Sequence, residues 1–143
     1  MIPTLLCVDD DKMTLMLIRL ILEKANFCET LLTAENGAYA LEHFSEQQNL
    51  PMEARVYPEV ILLDLNMPVM NGWEFLSAFA EMFPEKTPQT KIFILSSSVD
   101  PFEKDRALNH PLVVDFLPKP LNIEALEKLK KHSVLVDFFI TAA

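Results

Sequence analysis

The chain has 143 residues, half of them hydrophobic and 23% charged, a balance that predicts one globular domain with a sizeable core. Its formal net charge of −9 argues against a nucleic-acid partner, because proteins meet phosphate backbones with an excess of Lys and Arg. No stretch reaches the ~20 apolar residues that span a bilayer, so we expect no membrane partner, and the N-terminus does not resemble a secretory signal.

The first part of the chain alternates short apolar runs with segments of helical period. A strand is predicted over 4–8, and a helix over 12–25, where apolar residues recur at helical spacing. A weaker second strand over 31–34 is followed by Asn36-Gly37 and a second helix. The polar segment 47–58 contains two prolines and is predicted to be a loop, longer than most connections and without an evident role.

The second part of the chain continues the same alternation and ends in an apolar tail. Its predicted elements are strand 60–63, a helix after Asn71-Gly72, strand 91–95, helix 101–108, strand 112–116 and a helix capped by Asn122. The tail over 133–143 is not assigned. It could continue the helix, add an edge strand or cover a partner, and a helical extension packed on the chain's own core is favoured.

Five strands that alternate with five helices predict an α/β fold: a doubly wound, five-stranded parallel sheet with helices on both faces. Residues 1–143 leave no room for a second domain, so we expect one domain with its core over about 4–132. Cys7 and Cys28 have no partner at metal-site spacing. Buried free thiols are therefore expected, which is consistent with a cytoplasmic location.

Polar residues follow three of the predicted strands directly. Asp9 and Asp10 follow the first strand, Asp64 follows the third, and Lys119 stands between two prolines after the fifth. The carboxyl ends of parallel strands meet at one rim of the sheet, where open α/β folds bind ligands. Clustered carboxylates repel one another unless a hard divalent cation such as Mg²⁺ lies between them. These residues therefore predict a site for a divalent cation and a phosphoryl group.

Each of these residues also has a simpler structural explanation. Asp10 or Asp11 could merely cap the helix that starts near residue 12, and a lone Lys is usually a solvated charge. Ser96 and the two serines after it could form a polar turn at the end of the fourth strand. The functional interpretation of Ser96 is a hydroxyl that donates to a bound phosphoryl group.

Four motifs occur in order: the pair Asp9-Asp10, an Asp-x-x-Met-Pro-x-x-x-Gly segment from Asp64 to Gly72, the hydroxyl residue Ser96, and Lys119-Pro120. With them the chain resembles the receiver domains of two-component response regulators, in particular the stand-alone, chemotaxis-regulator-like kind. The resemblance covers Leu5 to about Lys131. It implies a flavodoxin-like strand order, 2-1-3-4-5, and a phosphorelay role in signal transduction.

The resemblance also implies a role for each site residue. Asp64 would be the phosphoacceptor, with Lys119 and Ser96 contacting the phosphoryl group. The Mg²⁺ ligands would be Asp9, Asp10, Asp64 and the main-chain carbonyl of Asn66. Phe116 occupies the place of the switch aromatic, which would turn toward the core when phosphorylation draws the Ser96 hydroxyl inward.

In this family the phosphoryl group comes from a phosphohistidine on a sensor histidine kinase or a histidine phosphotransfer protein. The chain would catalyse its own phosphorylation and later dephosphorylation, and would then signal to a protein target. The sequence does not reveal that target, and it leaves open whether the chain forms a homodimer.

Three other functions remain to be weighed. A receiver-like scaffold could dock to proteins without being phosphorylated, although the intact site residues argue against it. An Asp-nucleophile phosphatase needs a second acid two residues after the nucleophile, whereas Asp64 is followed by Leu65 and Asn66. A flavin-binding protein of the same topology is disfavoured because the acidic loop after the first strand would repel the cofactor's phosphate.

Overall fold

A computed structural model describes residues 1–140 as five parallel strands with helices on both sides. The strands are β1 (Ile2–Val8), β2 (Cys28–Ala34), β3 (Val60–Leu63), β4 (Lys91–Ser96) and β5 (Val113–Pro118). They are ordered β2-β1-β3-β4-β5, and all four neighbouring pairs are parallel. This confirms the doubly wound fold and the strand order that the sequence and the resemblance predicted.

Five α-helices connect or follow these strands, and each begins at a side-chain cap. They are α1 (Lys12–Lys24), α2 (Gly37–Gln48), α3 (Gly72–Met82), α4 (Pro101–Leu108) and α5 (Ile123–Lys130). The capping residues are Asp11, Asn36, Asn71, Asp100 and Asn122, whose side chains accept a hydrogen bond from a main-chain N–H of the first turn. No helix within residues 1–140 has the length and apolar character needed to cross a bilayer.

Four of the five predicted strands have different bounds in the structure. β1 begins at Ile2 rather than at residue 4, β4 ends at Ser96 rather than at residue 95, and β2 and β5 differ by more. β2 begins at Cys28 rather than at residue 31, because the whole strand pairs in register with β1, starting with Ile2 opposite Cys28. This edge strand is mostly half-buried or exposed, so its first residues lack the apolar run that predicts a strand. β5 extends to Pro118 because its last residues pair with the end of β4.

The segment predicted as a loop over 47–58 contains one short 3₁₀ turn, Met52–Ala54. The Arg55 side chain holds the segment together by donating to the carbonyl oxygens of Leu50 and Gln48, at 2.9 and 3.0 Å. The described hydrogen bonds of Arg55 stay within this segment and give the loop a local scaffold.

The two faces of the sheet bury separate apolar cores. On β1, for example, Leu6 and Val8 pack toward α2 and α3, whereas Leu5 and Cys7 pack toward α1 and α5. β3 is buried at all four positions, as expected for a central parallel strand covered on both faces. The helices on both sides thus leave the carboxyl rim of the sheet as the place where polar side chains can meet.

Part of the apolar tail packs on the chain's own core within the described residues, which end at 140, whereas Ile140 itself is exposed. α5 ends at Lys130, so the expected helical extension is wrong; the tail instead forms a 3₁₀ turn, Val136–Phe138. Leu135 is fully buried, and the Phe139 ring lies 5.2 Å from the ring of Phe27. The remainder of the tail, 141–143, lies outside the described residues.

Gly72 marks the closest approach of the chain to the end of β3. A Cβ atom at this position would lie 2.5 Å from the carbonyl oxygen of Asp64 and 2.9 Å from the Cα of Leu65. Both are backbone atoms, and the Gly72 N–H also donates to the Leu65 carbonyl at 3.0 Å. The glycine of the Asp64-to-Gly72 motif is therefore required by sterics beside the rim.

Replacing Gly72 by Ala should lower the free energy of unfolding by ~1–3 kcal/mol, because the backbone of Asp64 and Leu65 must move to make room. Gly37→Ala is the matched control: it also lies at the first position of a helix, but its nearest clash is with the flexible Met70 side chain. Urea unfolding should show the smaller loss for Gly37→Ala. Equal losses would contradict the steric explanation.

Candidate functional site

Three carboxylates converge at the carboxyl rim of the sheet. Asp9, Asp10 and Asp64 each offer a carboxylate oxygen, and these oxygens lie within 4.8 Å of one another. The register of the strands causes this, because Val8 pairs with Leu63 and the Asp64 N–H donates to the Val8 carbonyl at 2.9 Å. The residues that follow β1 and β3 are thereby placed side by side, as the sequence predicted.

The third acid after β1 has a different role. Asp11 caps α1, with one oxygen accepting from the Met13 N–H at 3.0 Å and the other from the Thr14 hydroxyl at 2.9 Å. The Asp11 N–H in turn donates to Asp9 Oδ1 at 2.9 Å, which fixes the orientation of the Asp9 carboxylate. Capping thus accounts for Asp11 and leaves Asp9 and Asp10 for the rim cluster.

Lys119 brings a positive charge into the carboxylate cluster. Its Nζ lies 2.5 Å from Asp9 Oδ2 and 3.6 Å from Asp64 Oδ2, and only 17% of its side chain is exposed. The Lys119 N–H donates to the Ser96 carbonyl at 2.9 Å, so the residue after β5 is tied to the end of β4. Parallel strands from three parts of the chain therefore assemble this one ion-pair network.

Burial and charge shift the pKa values of two groups in this network. Burial raises the pKa of Asp64; the charge of Lys119 opposes the rise and that of Asp9 adds to it, so that the net pKa lies above its ordinary value. Burial alone would lower the pKa of Lys119, but its hydrogen bond to Asp9 and the charge of Asp64 outweigh burial and raise it. Lys119 is therefore firmly cationic, while Asp64 is costly to ionise.

The cluster has the donor set of a hard divalent cation. One ammonium faces three carboxylates, which leaves excess negative charge, and all three side chains present oxygen, the atom that Mg²⁺ prefers. The Asn66 N–H lies 3.4 Å from Asp64 Oδ1, so the Asn66 backbone adjoins the cluster. Metal ligation by its carbonyl stays a prediction.

Ser96 and Phe116 lie on neighbouring strand ends, but neither contacts the carboxylates in the described hydrogen bonds. The buried Ser96 hydroxyl donates to Glu103 Oε1 at 3.2 Å and accepts from the Ser98 N–H at 3.0 Å. The Phe116 side chain is 9% exposed and belongs to the core beneath α3 and α4. Any switch would thus start from a Phe116 ring that is already buried.

Sequence reasoning missed Glu103, which is the hydrogen-bond acceptor of Ser96. Its signal was present: Asp100 and Pro101 mark the start of a helix, so Glu103 had to lie in the first turn, close to the end of β4. It also missed the stacking of Arg106 over the Trp73 ring, 3.9 Å from its centroid, which joins α4 to α3. That contact depends on how two helices pack, and sequence spacing does not reveal it.

A doubly wound parallel sheet with an acidic cluster and a partly buried lysine at its carboxyl rim defines a flavodoxin-like domain with a candidate cation site at that rim. The family model described as response regulator receiver domain matches residues 5–131. The chain belongs to this family of two-component signalling domains, which confirms the resemblance drawn from the four motifs.

Known proteins agree with this assignment. The chain is 31% identical over 137 residues to the chemotaxis protein CheY of Listeria monocytogenes, covering 89% of this chain and 98% of that protein. It is 30% identical over 134 residues to a protein-glutamate methylesterase/protein-glutamine glutaminase of Methanococcoides burtonii, of which it spans only 34%. The crystal structure of a two-component response regulator from Cytophaga hutchinsonii superposes with a TM-score of 0.83 at 30% identity, covering 94% of this chain and 98% of that one.

Replacing Asp64 by Asn should raise the free energy of unfolding at neutral pH in metal-free buffer. The folded-state pKa of Asp64 lies above its ordinary value of 3.8, so the native state loses stability as the pH rises through that folded pKa and the buried carboxyl ionises. The gain should therefore vanish below 3.8, where both states are protonated. Urea unfolding across this pH range measures it.

Asp11→Asn provides the control for this pH profile. Hydrogen bonds from the Thr14 hydroxyl and the Met13 N–H lower the pKa of Asp11, so removing its charge should give no gain at neutral pH. An Asp64→Asn variant that is no more stable than wild type at neutral pH would contradict the claim that this carboxyl is costly to ionise.

Proposed function

We propose that this chain is a single receiver unit whose Asp64 accepts a phosphoryl group in a Mg²⁺-dependent reaction and then signals to a protein partner. The observation that carries the proposal is the convergence of Asp9, Asp10 and Asp64 with Lys119 at one rim of the sheet. Family membership supports the same chemistry, because the four motifs of the family fall on these residues and on Ser96.

The phosphoryl donor in this proposal is a phosphohistidine of a sensor histidine kinase or a histidine phosphotransfer protein. An Asp64 carboxylate oxygen forms the new bond to phosphorus while the bond from phosphorus to the imidazole nitrogen breaks and the histidine leaves. Mg²⁺ held by Asp9, Asp10, Asp64 and the Asn66 carbonyl would supply charge neutralisation for the phosphoryl oxygens. Asp64 is positioned for the attack by its backbone pairing with β1 and by the adjacent Gly72 turn.

In this proposal Lys119 contacts the transferred phosphoryl group. Its ammonium lies between Asp9 and Asp64, and only its side-chain terminus has to shift from Asp9 to reach a phosphoryl oxygen on Asp64. Because the Lys119 backbone is tied to β4, such a shift would transmit strain to the end of that strand, where Ser96 lies. Lys119 would thus stabilise the transferred group and couple it to the switch residues.

The surface beside the rim fits a protein donor. α1 exposes four large apolar side chains, with exposed fractions of 52–62%: Met13, Met16, Leu17 and Leu20. A groove of about 330 Å³ runs from this helix to Lys119, lined by residues that include Ile18 and Leu121. A contiguous apolar face is unusual on a protein surface that has no partner, so its position next to the phosphoacceptor favours docking of a phosphodonor there.

The proposal places the chain in the cytoplasm, where the catalytic parts of histidine kinases transfer their phosphoryl groups. Cys7 and Cys28 are free thiols, and burial raises the pKa of Cys7 to about 12, which keeps this thiol neutral and unreactive. Free cysteines are usual in a reducing compartment.

Intact-protein mass after incubation with acetyl phosphate tests the proposal directly. Wild type should gain one phosphoryl group with Mg²⁺ present and none after chelation, and Asp64→Asn should gain none. Asp11→Asn is the matched control and should be labelled like wild type, because Asn caps a helix as well as Asp does. Labelling of Asp64→Asn at the wild-type level would contradict the assignment of the acceptor.

A chain that is never labelled could still be a docking scaffold or could lose its phosphoryl group quickly. Beryllofluoride mimics the acyl phosphate and does not turn over, so it separates these cases. Mg²⁺-dependent binding of beryllofluoride would support a short-lived phosphoprotein. Absence of binding would contradict the phosphoacceptor and favour the scaffold.

A further inference from the structure

The Ser96 hydroxyl is engaged by α4 before any phosphoryl group arrives. It is 1% exposed and donates to Oε1 of Glu103, at 3.2 Å, from a strand end next to the rim. A hydroxyl has one proton to donate, and one of its two acceptor lone pairs takes the Ser98 N–H. The hydroxyl therefore cannot donate to Glu103 and to a phosphoryl oxygen on Asp64 at the same time.

We propose that Glu103 is a positioning residue that holds the Ser96 hydroxyl in the unphosphorylated chain, so that phosphorylation must draw this hydroxyl away and thereby releases the first turn of α4. The inference rests on the proposed function, because it assigns a regulator to the same phosphoacceptor site. On this inference, α4 is the first element to move when Asp64 is phosphorylated.

The construction of α4 makes this release feasible. The helix has eight residues, and Ala107 is its one buried position. Phe102, at the second helical position, is 82% exposed, so the first turn has few apolar contacts to hold it. The bond between Ser96 and Glu103 is a direct tie of that turn to β4, and its loss should shift the turn.

Electrostatics act in the same direction. Phosphorylation adds negative charge at the rim, which already carries three carboxylates, and like charge repels the Glu103 carboxylate. Once free, this carboxylate remains favourable beside the N-terminus of α4, in the helix whose first turn contains it. Glu103 therefore has a stable alternative position near solvent.

Trp73 provides a built-in reporter of α4. It is the one tryptophan of the chain, and the Arg106 guanidinium of α4 stacks 3.9 Å from its ring centroid. Trp73, Glu103 and Arg106 also line one shared cavity between α3 and α4. A shift of the first turn of α4 should change this stacking and with it the fluorescence of Trp73.

The test is a beryllofluoride titration in the presence of Mg²⁺, followed by Trp73 fluorescence. Glu103→Ala frees the hydroxyl beforehand, so it should bind about 3- to 10-fold more tightly than wild type, as expected for one competing hydrogen bond. Its fluorescence without ligand should already lie nearer the ligand-bound value. Glu103→Gln keeps an acceptor without the charge and should fall between. Glu124→Ala, in the first turn of α5, is the matched control and should behave like wild type.

Repeating the Glu103→Ala measurement in a Ser96→Ala variant distinguishes loss of the hydrogen bond to Ser96 from simple removal of the Glu103 charge. In Ser96→Ala there is no hydroxyl to hold, so adding Glu103→Ala should leave the beryllofluoride affinity unchanged. If Glu103→Ala tightens binding equally in both backgrounds, the effect is electrostatic and the inference is overturned. Unchanged affinity of Glu103→Ala in the wild-type background would overturn it as well.

Two controls keep the outcomes distinct. Thermal unfolding shows whether each variant is folded, and Glu103→Gln replaces Glu103→Ala in the comparison if the alanine variant is not. If wild type binds beryllofluoride and all Glu103 variants bind it with the same affinity, only the role of Glu103 is refuted. If wild type binds no beryllofluoride, with or without Mg²⁺, the proposed function and the inference are refuted together.

Discussion

The crowding of like charges at one rim of the sheet is the constraint on which the rest of this structure depends. The register of β1 against β3 forces Asp9 and Asp64 together, and the buried Lys119 offsets only part of their charge. A fold that keeps such a cluster gives up stability unless a cation or a transferred group completes the site. In the proposed function, the same excess charge that is costly in the free chain would make the rim a receptor for Mg²⁺ and for chemistry on Asp64.

Much of the fold could be predicted because local and global signals agree. β3 is apolar at every position and reads as a buried parallel strand, and the capping residues Asn71 and Asn122 mark where helices begin. The failures lie where tertiary pairing replaces local pattern. The first residues of β2 form a strand because β1 pairs with them. The tail does not continue the last helix, because Leu135 is instead buried in the core.

The contacts of the site likewise fall into those that the sequence predicts and those that only the structure reveals. Asp9, Asp10, Asp64 and Lys119 could be brought together from the sequence, because strand ends in a parallel sheet are neighbours by topology. The place of Glu103 in the first turn of α4 could also be predicted, but its bond to Ser96 could not, since that bond depends on the rotation and tilt of α4 over the end of β4. Sequence therefore predicts where the charge gathers, whereas the link from the rim to α4 requires the packed structure.

The most direct test of this account is the free energy of unfolding of the unphosphorylated wild type with saturating MgCl₂, compared with NaCl of equal ionic strength. If the rim is a metal site, Mg²⁺ should stabilise the native state by mass action, and Asp10→Asn should lose most of that stabilisation while Glu124→Gln keeps it. Equal stability of wild type in the two salts would contradict the account, because the clustered carboxylates would then have another means of balancing their charge.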